Sequence, residues 1–173
     1  IVCFAKALTG GYFPLAVTLT TSKIFNEFLG DYWDKRQLFH GHKFTRHPVG
    51  CTAALTNLAL YEKVNLIGKI RINSLVLDRL LKSFAELDIC YDIRNKGMLC
   101  GIELRKGNKP IKMIDKVPIG QYIARESLKK GVYLRTLGNI ITIIPPLAIG
   151  IEDLTKIVDT EYQIVEKIQK KIR

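Results

Sequence analysis

The chain has 173 residues, a formal net charge of +11 at pH 7 and 47% hydrophobic residues. This length gives room for one core or for parts of two domains. No apolar run approaches the ~20 residues of a membrane span and no signal-peptide pattern is present, so we expect no membrane partner and a cytoplasmic location. The chain lacks a start methionine and opens inside an apolar run, from which we expect a fragment of a longer protein.

The positive charge is spread along the chain, which favours a solvated basic surface with a secondary role in attracting anionic substrates. The densest basic cluster, at residues 167–173, closes a predicted helix, where cations suit the helix dipole. No aromatic-basic RNA-binding pattern is present, so we expect no nucleic-acid partner. The four cysteines form no Cys-x-x-Cys pair and predict reduced core thiols rather than a disulfide or zinc framework.

Two short apolar runs at the start, residues 1–5 and 15–20, are bounded by turn residues and predict two buried strands. Lys6 lies at the end of the first run, ahead of the turn Gly10-Gly11. Lysine is rarely buried without a reason, and burial at a strand end favours the neutral amine that imine chemistry needs. Lys6 is therefore a candidate catalytic residue. The alternative is a lysine whose stem covers apolar surface while its amine reaches water.

The residues between the second strand and residue 63 predict a short helix, a long loop and a second helix. Ser22 is expected to cap a helix over 23–28. Residues 32–46 are aromatic and polar, contain all three histidines, and predict a functional loop. Pro48 suits the first turn of a helix that continues to Lys63.

From residue 65 onward the pattern predicts a helix, two strands, a helix, a hairpin and a helix, with the helices covering a small sheet. The first of these helices starts at Asn65 and has one apolar face made of Ile67, Ile70, Leu77, Leu81 and Phe84. The remaining elements are expected as strands 90–94 and 98–104 with a bulge at Gly97, helix 119–129, hairpin strands 132–135 and 140–144, and helix 152–172.

The segment Ala5-Lys6-Ala7-Leu8-Thr9-Gly10-Gly11 resembles the cofactor-lysine segment of class III aminotransferases, which use pyridoxal 5'-phosphate. The Leu-Thr-Gly-Gly stretch narrows the resemblance to the 7,8-diaminopelargonic acid aminotransferases of biotin synthesis. It implies an α/β, fold-type I transferase, with residues 1–60 as the end of the large domain and 61–173 as the small α+β domain. It also implies that Lys6 bonds to the cofactor and moves a proton between substrate and cofactor.

Residues 39–48, Phe-His-Gly-His-Lys-Phe-Thr-Arg-His-Pro, resemble the family's phosphate-binding loop, His-Gly-His-Ser/Thr-Tyr/Phe-Thr-Gly-Asn-Pro. In the family this loop comes from the neighbouring subunit. The resemblance therefore implies a homodimer in which Gly41, His42 and Lys43 bind the cofactor, and Gly41 also the substrate.

This loop departs from the family pattern at three positions. Lys43 stands where a hydroxyl is expected, Arg46 replaces the glycine and His47 the asparagine. Lysine pairs with phosphate only as a point charge, and arginine is unfavourable if the glycine position has a positive φ. The alternative use of the histidines is a zinc site built from His40, His42 and His47, for which no carboxylate or cysteine completes the ligand set.

Leu134-Arg135-Thr136-Leu137-Gly138-Asn139 resembles the small-domain motif Arg-Pro-x-Gly-x. The resemblance implies that Arg135 binds the substrate carboxylate, a task that suits the planar guanidinium fork. The alternative is an exposed arginine on a hairpin.

Residues 94–104 resemble the signature Arg-x-x-Gly-x-x-x-x-Ile-Glu-Leu, which we interpret as structural. Tyr12 is a candidate substrate-pocket residue, with packing as an equal alternative.

The resemblance implies transfer of an amino group to 7-keto-8-aminopelargonate from S-adenosylmethionine, or from lysine as in some members. The family's residues that hold the pyridine nitrogen, stack on the ring and form the first phosphate cup are absent from this sequence, so we expect no transamination by these residues alone. The alternatives are another class III aminotransferase (for ornithine, 4-aminobutyrate or β-alanine), an inactive structural module of the same fold, and a basic nucleic-acid-binding module.

Overall fold

The computed structural model describes residues 1–172. They form two compact units, Ile1–Asn65 and the residues from Leu66 onward. The division into a large-domain segment, 1–60, and a small domain, 61–173, stays a prediction. Within residues 1–172 no helix combines the length and apolar character that crossing a bilayer requires.

The first unit is built on a two-stranded antiparallel sheet. Strand β1 pairs with β2 so that Val2 faces Leu19 and Phe4 faces Val17. The elements of this unit are β1 (Val2–Phe4), a 3-10 helix (Lys6–Thr9), β2 (Val17–Leu19), α1 (Ser22–Asn26), a second 3-10 helix (Tyr32–Asp34) and α2 (Pro48–Lys63). The predicted strands, the irregular loop and the helix that begins at Pro48 are confirmed.

The predicted burial of β1 and β2 is wrong. Val2, Phe4 and Leu19 are 52%, 46% and 54% exposed. In the described part of the chain this sheet has two strands, so no neighbouring strand or sheet layer covers their apolar side chains. The apolar runs located the strands without indicating what packs on them.

Helix α1 starts one residue earlier than the sequence predicts. The hydroxyl of Thr21, rather than that of Ser22, accepts a hydrogen bond from the backbone N–H of Ile24 at 3.5 Å. Thr21 lies three residues before Ile24, which is the spacing of an N-cap residue. Ser22 is therefore the first helical residue. The helix is also shorter than expected and ends at Asn26.

The second unit is an antiparallel sheet covered by three helices. Its central strands run in the order β3-β4-β9-β8, and β5 adds to β4. The elements are α3 (Leu66–Leu81), a 3-10 helix (Lys82–Glu86), β3 (Cys90–Lys96), β4 (Leu99–Lys106), β5 (Lys109–Pro110), β6 (Met113–Ile114), β7 (Val117–Pro118), α4 (Ile119–Lys129), β8 (Arg135–Leu137), β9 (Ile140–Ile143) and α5 (Ile151–Ile172). The predicted element order is confirmed, and the short strands β5, β6 and β7 were missed.

The core of this unit lies between one face of the sheet and the helices. Ile102 and Leu104 on β4 alternate with partly exposed residues and are fully buried. On α3 the apolar face includes Leu66 and Leu77, whereas Ile67 is 52% exposed and does not belong to it. The helix begins at Leu66, directly after Asn65, whose backbone is left-handed with a φ of 47°.

Gly97 forms a turn and not the predicted bulge. It has a φ of 61° and lies between Lys96 and Leu99, which pair with each other. A positive φ at a two-residue connection is what a tight hairpin turn requires. The irregularity in this strand pair lies instead between Cys90 and Asp92, where the register shifts.

The cysteines are all free, but only one of the four is fully buried. Cys100 is buried and Cys90 partly so, while Cys3 and Cys51 are exposed. Burial raises the pKa of both Cys90 and Cys100 to about 12, so these two thiols are protonated and unreactive at neutral pH. The prediction of four core thiols is correct for the second unit and wrong for the first.

The core of the second unit contains a buried acid that the sequence does not predict. Glu161 on α5 is fully buried, and burial raises the pKa of its carboxyl to about 7. The hydroxyl of Ser127 lies 2.7 Å from Oε1 of Glu161 and 2.8 Å from the carbonyl oxygen of Ile123. One hydroxyl hydrogen serves only one of these acceptors, so a protonated Glu161 that donates to Ser127 satisfies the chain best.

We predict that stability falls as pH rises through the titration of Glu161. The folded-state pKa of about 7 lies above the ordinary 4.5, so folding holds a proton that the unfolded chain releases. The contribution is complete below pH 4.5 and is lost by about pH 7, a difference of about 3 kcal/mol. Glu161→Gln, whose amide donates to Ser127 without titrating, should remove this dependence in urea titrations between pH 5 and 8.

Asp159→Asn is the matched control, because Asp159 is an exposed carboxylate on the same helix. This variant should keep the pH dependence of the wild type. An equally steep dependence in Glu161→Gln would contradict the assignment.

Candidate active site

Lys6 lies in a strained turn between β1 and β2. Its backbone has a φ of 48°, and Gly10 and Gly11 follow with φ of 60° and 85°. The left-handed region costs a residue with a Cβ about 1–2 kcal/mol, whereas glycine adopts it freely. The two glycines therefore suit the turn, while the lysine is held there by its surroundings. Contrary to the burial that the sequence predicts, Lys6 is exposed in the described part of the chain.

Helix α2 supports this turn from one side. The side-chain amide of Asn57 donates to the carbonyl oxygens of Ala7 at 2.8 Å and Leu8 at 3.1 Å. Further along, a Cβ on Gly50 would lie 2.8 Å from the ring of Phe13, so only glycine lets helix and turn approach this closely. Neither residue was singled out from the sequence, because an asparagine and a glycine inside a helix carry no local signal of a contact some forty to fifty residues away.

A cleft of about 870 Å³ opens beside the turn. It is lined by Lys6 together with residues of the loop before α2. Four of the lining side chains carry or can carry positive charge, and no acidic residue lines it; the four are Lys6, His40, His42 and Arg46. A concave site lined by one sign of charge concentrates ligands of the opposite sign. The cleft therefore suits an anionic ligand that reaches a primary amine.

The loop is shaped by hydrogen bonds among its own residues. The hydroxyl of Thr45 accepts a hydrogen bond from the backbone N–H of His42 at 2.9 Å. Nδ1 of His42 accepts one from the N–H of Phe44 at 3.1 Å, which leaves Nε2 as the nitrogen that carries the proton in the neutral ring. The structure thus brings His42 to the cleft with a fixed tautomer and with the Thr45 hydroxyl beside it.

Arg46 occupies a left-handed backbone conformation, with a φ of 62°. A positive φ is the condition under which an arginine at the pattern's glycine position is unfavourable, and the structure meets it. The guanidinium side chain is nonetheless at the cleft.

Three of the residues singled out from the sequence do not line the cleft. Gly41 and Lys43 belong to the loop but are absent from the cleft wall. Tyr12 is 91% exposed and also lies outside it. Their assigned roles stay predictions.

The histidines do not form a metal site. His47 stacks on Phe13 with ring centroids 4.9 Å apart, while His40 and His42 line the cleft. Among residues 1–172 no three His, Cys, Asp or Glu side chains come close enough to hold a metal ion. Among the described residues the three histidines are thus not grouped as the zinc alternative requires.

Arg135 is the first residue of β8 in the second unit and is exposed. Its carbonyl oxygen accepts a hydrogen bond from the Thr142 hydroxyl at 2.5 Å. The tip of this hairpin is fastened to β4, since the side-chain amide of Asn139 donates to the carbonyl oxygen of Leu104 at 2.8 Å. α4 also lies close: a Cβ on Gly120 would be 2.6 Å from the carbonyl oxygen of Gly138. Arg135 therefore stands on a rigid hairpin.

The sequence matches the family described as Aminotransferase class-III over residues 1–165. The chain belongs to the class-III aminotransferases. This is a family of pyridoxal-phosphate enzymes, and the expected fold-type I architecture is confirmed over the covered region by solved transaminases of the family. One of them, the adenosylmethionine-8-amino-7-oxononanoate aminotransferase of Methanocaldococcus jannaschii, superposes with a TM-score of 0.84 at 37% identity over 95% of this chain and 38% of its own.

Several curated relatives are also named adenosylmethionine-8-amino-7-oxononanoate aminotransferase. The enzyme from Methanocaldococcus jannaschii is 38% identical over 96% of this chain, and that from Geobacter sulfurreducens is 40% identical over 92%. A gamma aminobutyrate transaminase from Solanum lycopersicum is 30% identical over the whole chain. The chain spans 36%, 35% and 35% of the lengths of these three relatives.

We predict that Arg46→Gly stabilises the protein by about 1 kcal/mol, because glycine removes the left-handed backbone penalty. Lys43→Gly is the matched control in the same loop, since Lys43 has no positive φ; there glycine should be destabilising by about 0.5 kcal/mol through chain entropy. The measurement is the urea midpoint of the whole protein without cofactor. Equal effects of the two substitutions would show that backbone conformation at Arg46 does not matter.

Proposed function

We propose that the whole protein is a pyridoxal-phosphate-dependent aminotransferase in which Lys6 bonds to the cofactor. The observation that carries this is the position of Lys6, an amine on a cationic cleft in a chain that belongs to the class-III aminotransferases. When bound, pyridoxal phosphate acts as an electron sink for the carbon that bears the substrate's amino group.

The residues of the cleft fit such a cofactor. The amine of Lys6 matches an aldehyde, and the cationic lining of the cleft suits a phosphate group through charge. Nζ of Lys6 is also the base that would take a proton from the substrate's amine-bearing carbon and deliver it to the carbon that was the cofactor's aldehyde. The roles of Lys6 and the cleft are thus compatible with one reaction.

We assign Gly41, His42 and Lys43 together to cofactor binding in the site of a second copy, with Gly41 also contacting substrate. This assignment makes the working protein a homodimer. In this chain, which spans about a third of its relatives' length, the first unit exposes apolar side chains for contact with the rest of the whole protein or with a second copy, including Trp33, Phe39 and Leu55 at 81%, 90% and 69% exposure. Apolar exposure on this scale is typical of a surface that contacts protein. We also assign Tyr12, which is exposed, to the substrate pocket. We place the whole protein in the cytoplasm.

The proposed substrate pair is 7-keto-8-aminopelargonate as amino acceptor and S-adenosylmethionine as donor, which places the reaction in biotin synthesis. Several relatives at 33–40% identity are named adenosylmethionine-8-amino-7-oxononanoate aminotransferases. The Leu8-Thr9-Gly10-Gly11 stretch and the His-Gly-His loop support this branch of the family. Lysine is the alternative donor.

A second candidate is an aminotransferase for 4-aminobutyrate or a similar ω-amino acid. The tomato relative, at 30% identity over the whole chain, favours it. A panel of donors and acceptors on the whole protein separates the two: rapid turnover of 4-aminobutyrate with none of 7-keto-8-aminopelargonate would select this candidate.

We predict that borohydride reduction of the whole protein with pyridoxal phosphate leaves a pyridoxyl group on Lys6, detected by peptide mass spectrometry. Lys6→Ala should lose the label and the visible absorbance band. Lys23→Ala, which changes an exposed lysine outside the cleft, should keep both. A wild-type protein with no label on Lys6 would refute the proposal and favour an inactive module of the same fold.

We predict that Arg135 makes the enzyme prefer a free carboxylate. The wild type should use 7-keto-8-aminopelargonate far better than its methyl ester. Arg135→Ala should lower the ratio of the two kcat/KM values (acid over ester) by about 10- to 100-fold, because a charge-assisted bidentate contact is removed. Arg125→Ala, an exposed arginine on α4, is the control. A preference unchanged by Arg135→Ala would show that the carboxylate binds elsewhere.

A further inference from the structure

The side chain of Asn57 makes the shortest hydrogen bonds between α2 and the turn that carries Lys6. Its single amide nitrogen donates to two consecutive carbonyl oxygens, those of Ala7 and Leu8. These are the first two residues after Lys6. The hydroxyl of Tyr61, one helical turn further along α2, reaches the Ala7 carbonyl at 3.5 Å as a longer, weaker contact.

The turn needs an outside support because its own backbone is unfavourable. Lys6 has a φ of 48°, and such a conformation persists only where surrounding contacts over-determine it. Within the turn, Leu8 donates to the carbonyl of Ala5 and Gly10 to that of Ala7, each at 3.1 Å. Further along, the Thr9 hydroxyl donates to the carbonyl of Phe13 at 2.5 Å and the N–H of Tyr12 donates to the carbonyl of Thr9 at 3.2 Å. The support from outside the turn comes from α2, and Asn57 provides its shortest hydrogen bond.

The fit around Asn57 is tight on its other side as well. A Cβ added to Gly10 would lie 3.0 Å from Oδ1 of Asn57. The turn can therefore approach the asparagine amide closely only because residue 10 is glycine. Asn57, partly buried, is placed by both its donor and its acceptor atoms against the same turn.

We infer that Asn57 is a positioning residue that holds the Lys6 turn in its left-handed conformation and so aims the Lys6 amine into the cleft. The inference rests on the proposed function, since it assigns Asn57 a part in the reaction of Lys6. Asn57 does not line the cleft, and it acts through the backbone that carries the amine, by its hydrogen bonds to Ala7 and Leu8.

The decisive property is hydrogen-bond donation rather than size. Asn57→Asp keeps the shape but places a carboxylate against two carbonyl oxygens, whereas Asn57→Ala removes the side chain. If Asn57 only filled space, the aspartate variant would behave like the wild type. If it holds the turn by donation, the aspartate variant is at least as impaired as the alanine variant.

The test uses the whole protein with pyridoxal phosphate and three variants: Asn57→Ala, Asn57→Asp and the control Thr56→Ala, whose exposed side chain lies next to Asn57 on α2. We expect both Asn57 variants to lower kcat about tenfold with KM changed less than about twofold, because a misaimed group affects the reacting geometry more than binding. The Lys6-dependent absorbance band should also form more slowly after cofactor is added. Amide hydrogen exchange at residues 8–12 should be faster, and Thr56→Ala should match the wild type throughout.

Unchanged exchange at residues 8–12 in Asn57→Ala would overturn the inference, and so would a wild-type-like Asn57→Asp. Absence of the Lys6-dependent band from the wild type itself would instead refute the proposed function. In that case faster exchange in the Asn57 variants still supports Asn57 as the residue that holds the turn, and unchanged exchange still overturns it.

Discussion

The close approach of α2 to the Lys6 turn is the constraint on which the first unit depends. The turn leaves β1 at Phe4 and re-enters β2 at Val17, and it contains three left-handed residues, of which Lys6 is not a glycine. Asn57 bonds the turn to the helix, and Gly50 lets the ring of Phe13 lie on the helix backbone. The same helix is preceded by the loop that lines the other side of the cleft. One helix thus locates both the amine and the cationic loop.

In the second unit, a buried acid, Glu161, connects two helices. Glu161 and Ser127 join α5 to α4 inside an otherwise apolar core, and burial raises the pKa of the carboxyl to about 7. The second carboxyl oxygen, Oε2, has no partner among the described residues. A neutral acid tolerates such an unpaired oxygen far better than a carboxylate does. The pair links two helices at the expense of some stability at higher pH.

The positions at which the loop before α2 differs from the family pattern have different structural consequences. Lys43 replaces the expected hydroxyl but does not line the cleft, whereas Arg46 does so from a strained backbone position. Thr45, which matches the family pattern, supplies a hydroxyl at the cleft and bonds the N–H of His42. The cleft therefore keeps cationic and hydroxyl groups in spite of the substitutions, although their arrangement differs from the one that the pattern implies.

The sequence by itself determined the local structure and the family. Pro48 marks where a helix begins and Gly138 marks a turn, and the Lys6 and Arg135 motifs were sufficient to name the family, because these signals act over a few residues. The tertiary structure alone decided which apolar strands are exposed, where the register of β3 shifts, and that Asn57 meets Ala7 and Glu161 meets Ser127. These contacts join residues 50 and 34 positions apart. They depend on how elements pack, which no local pattern of residue types specifies.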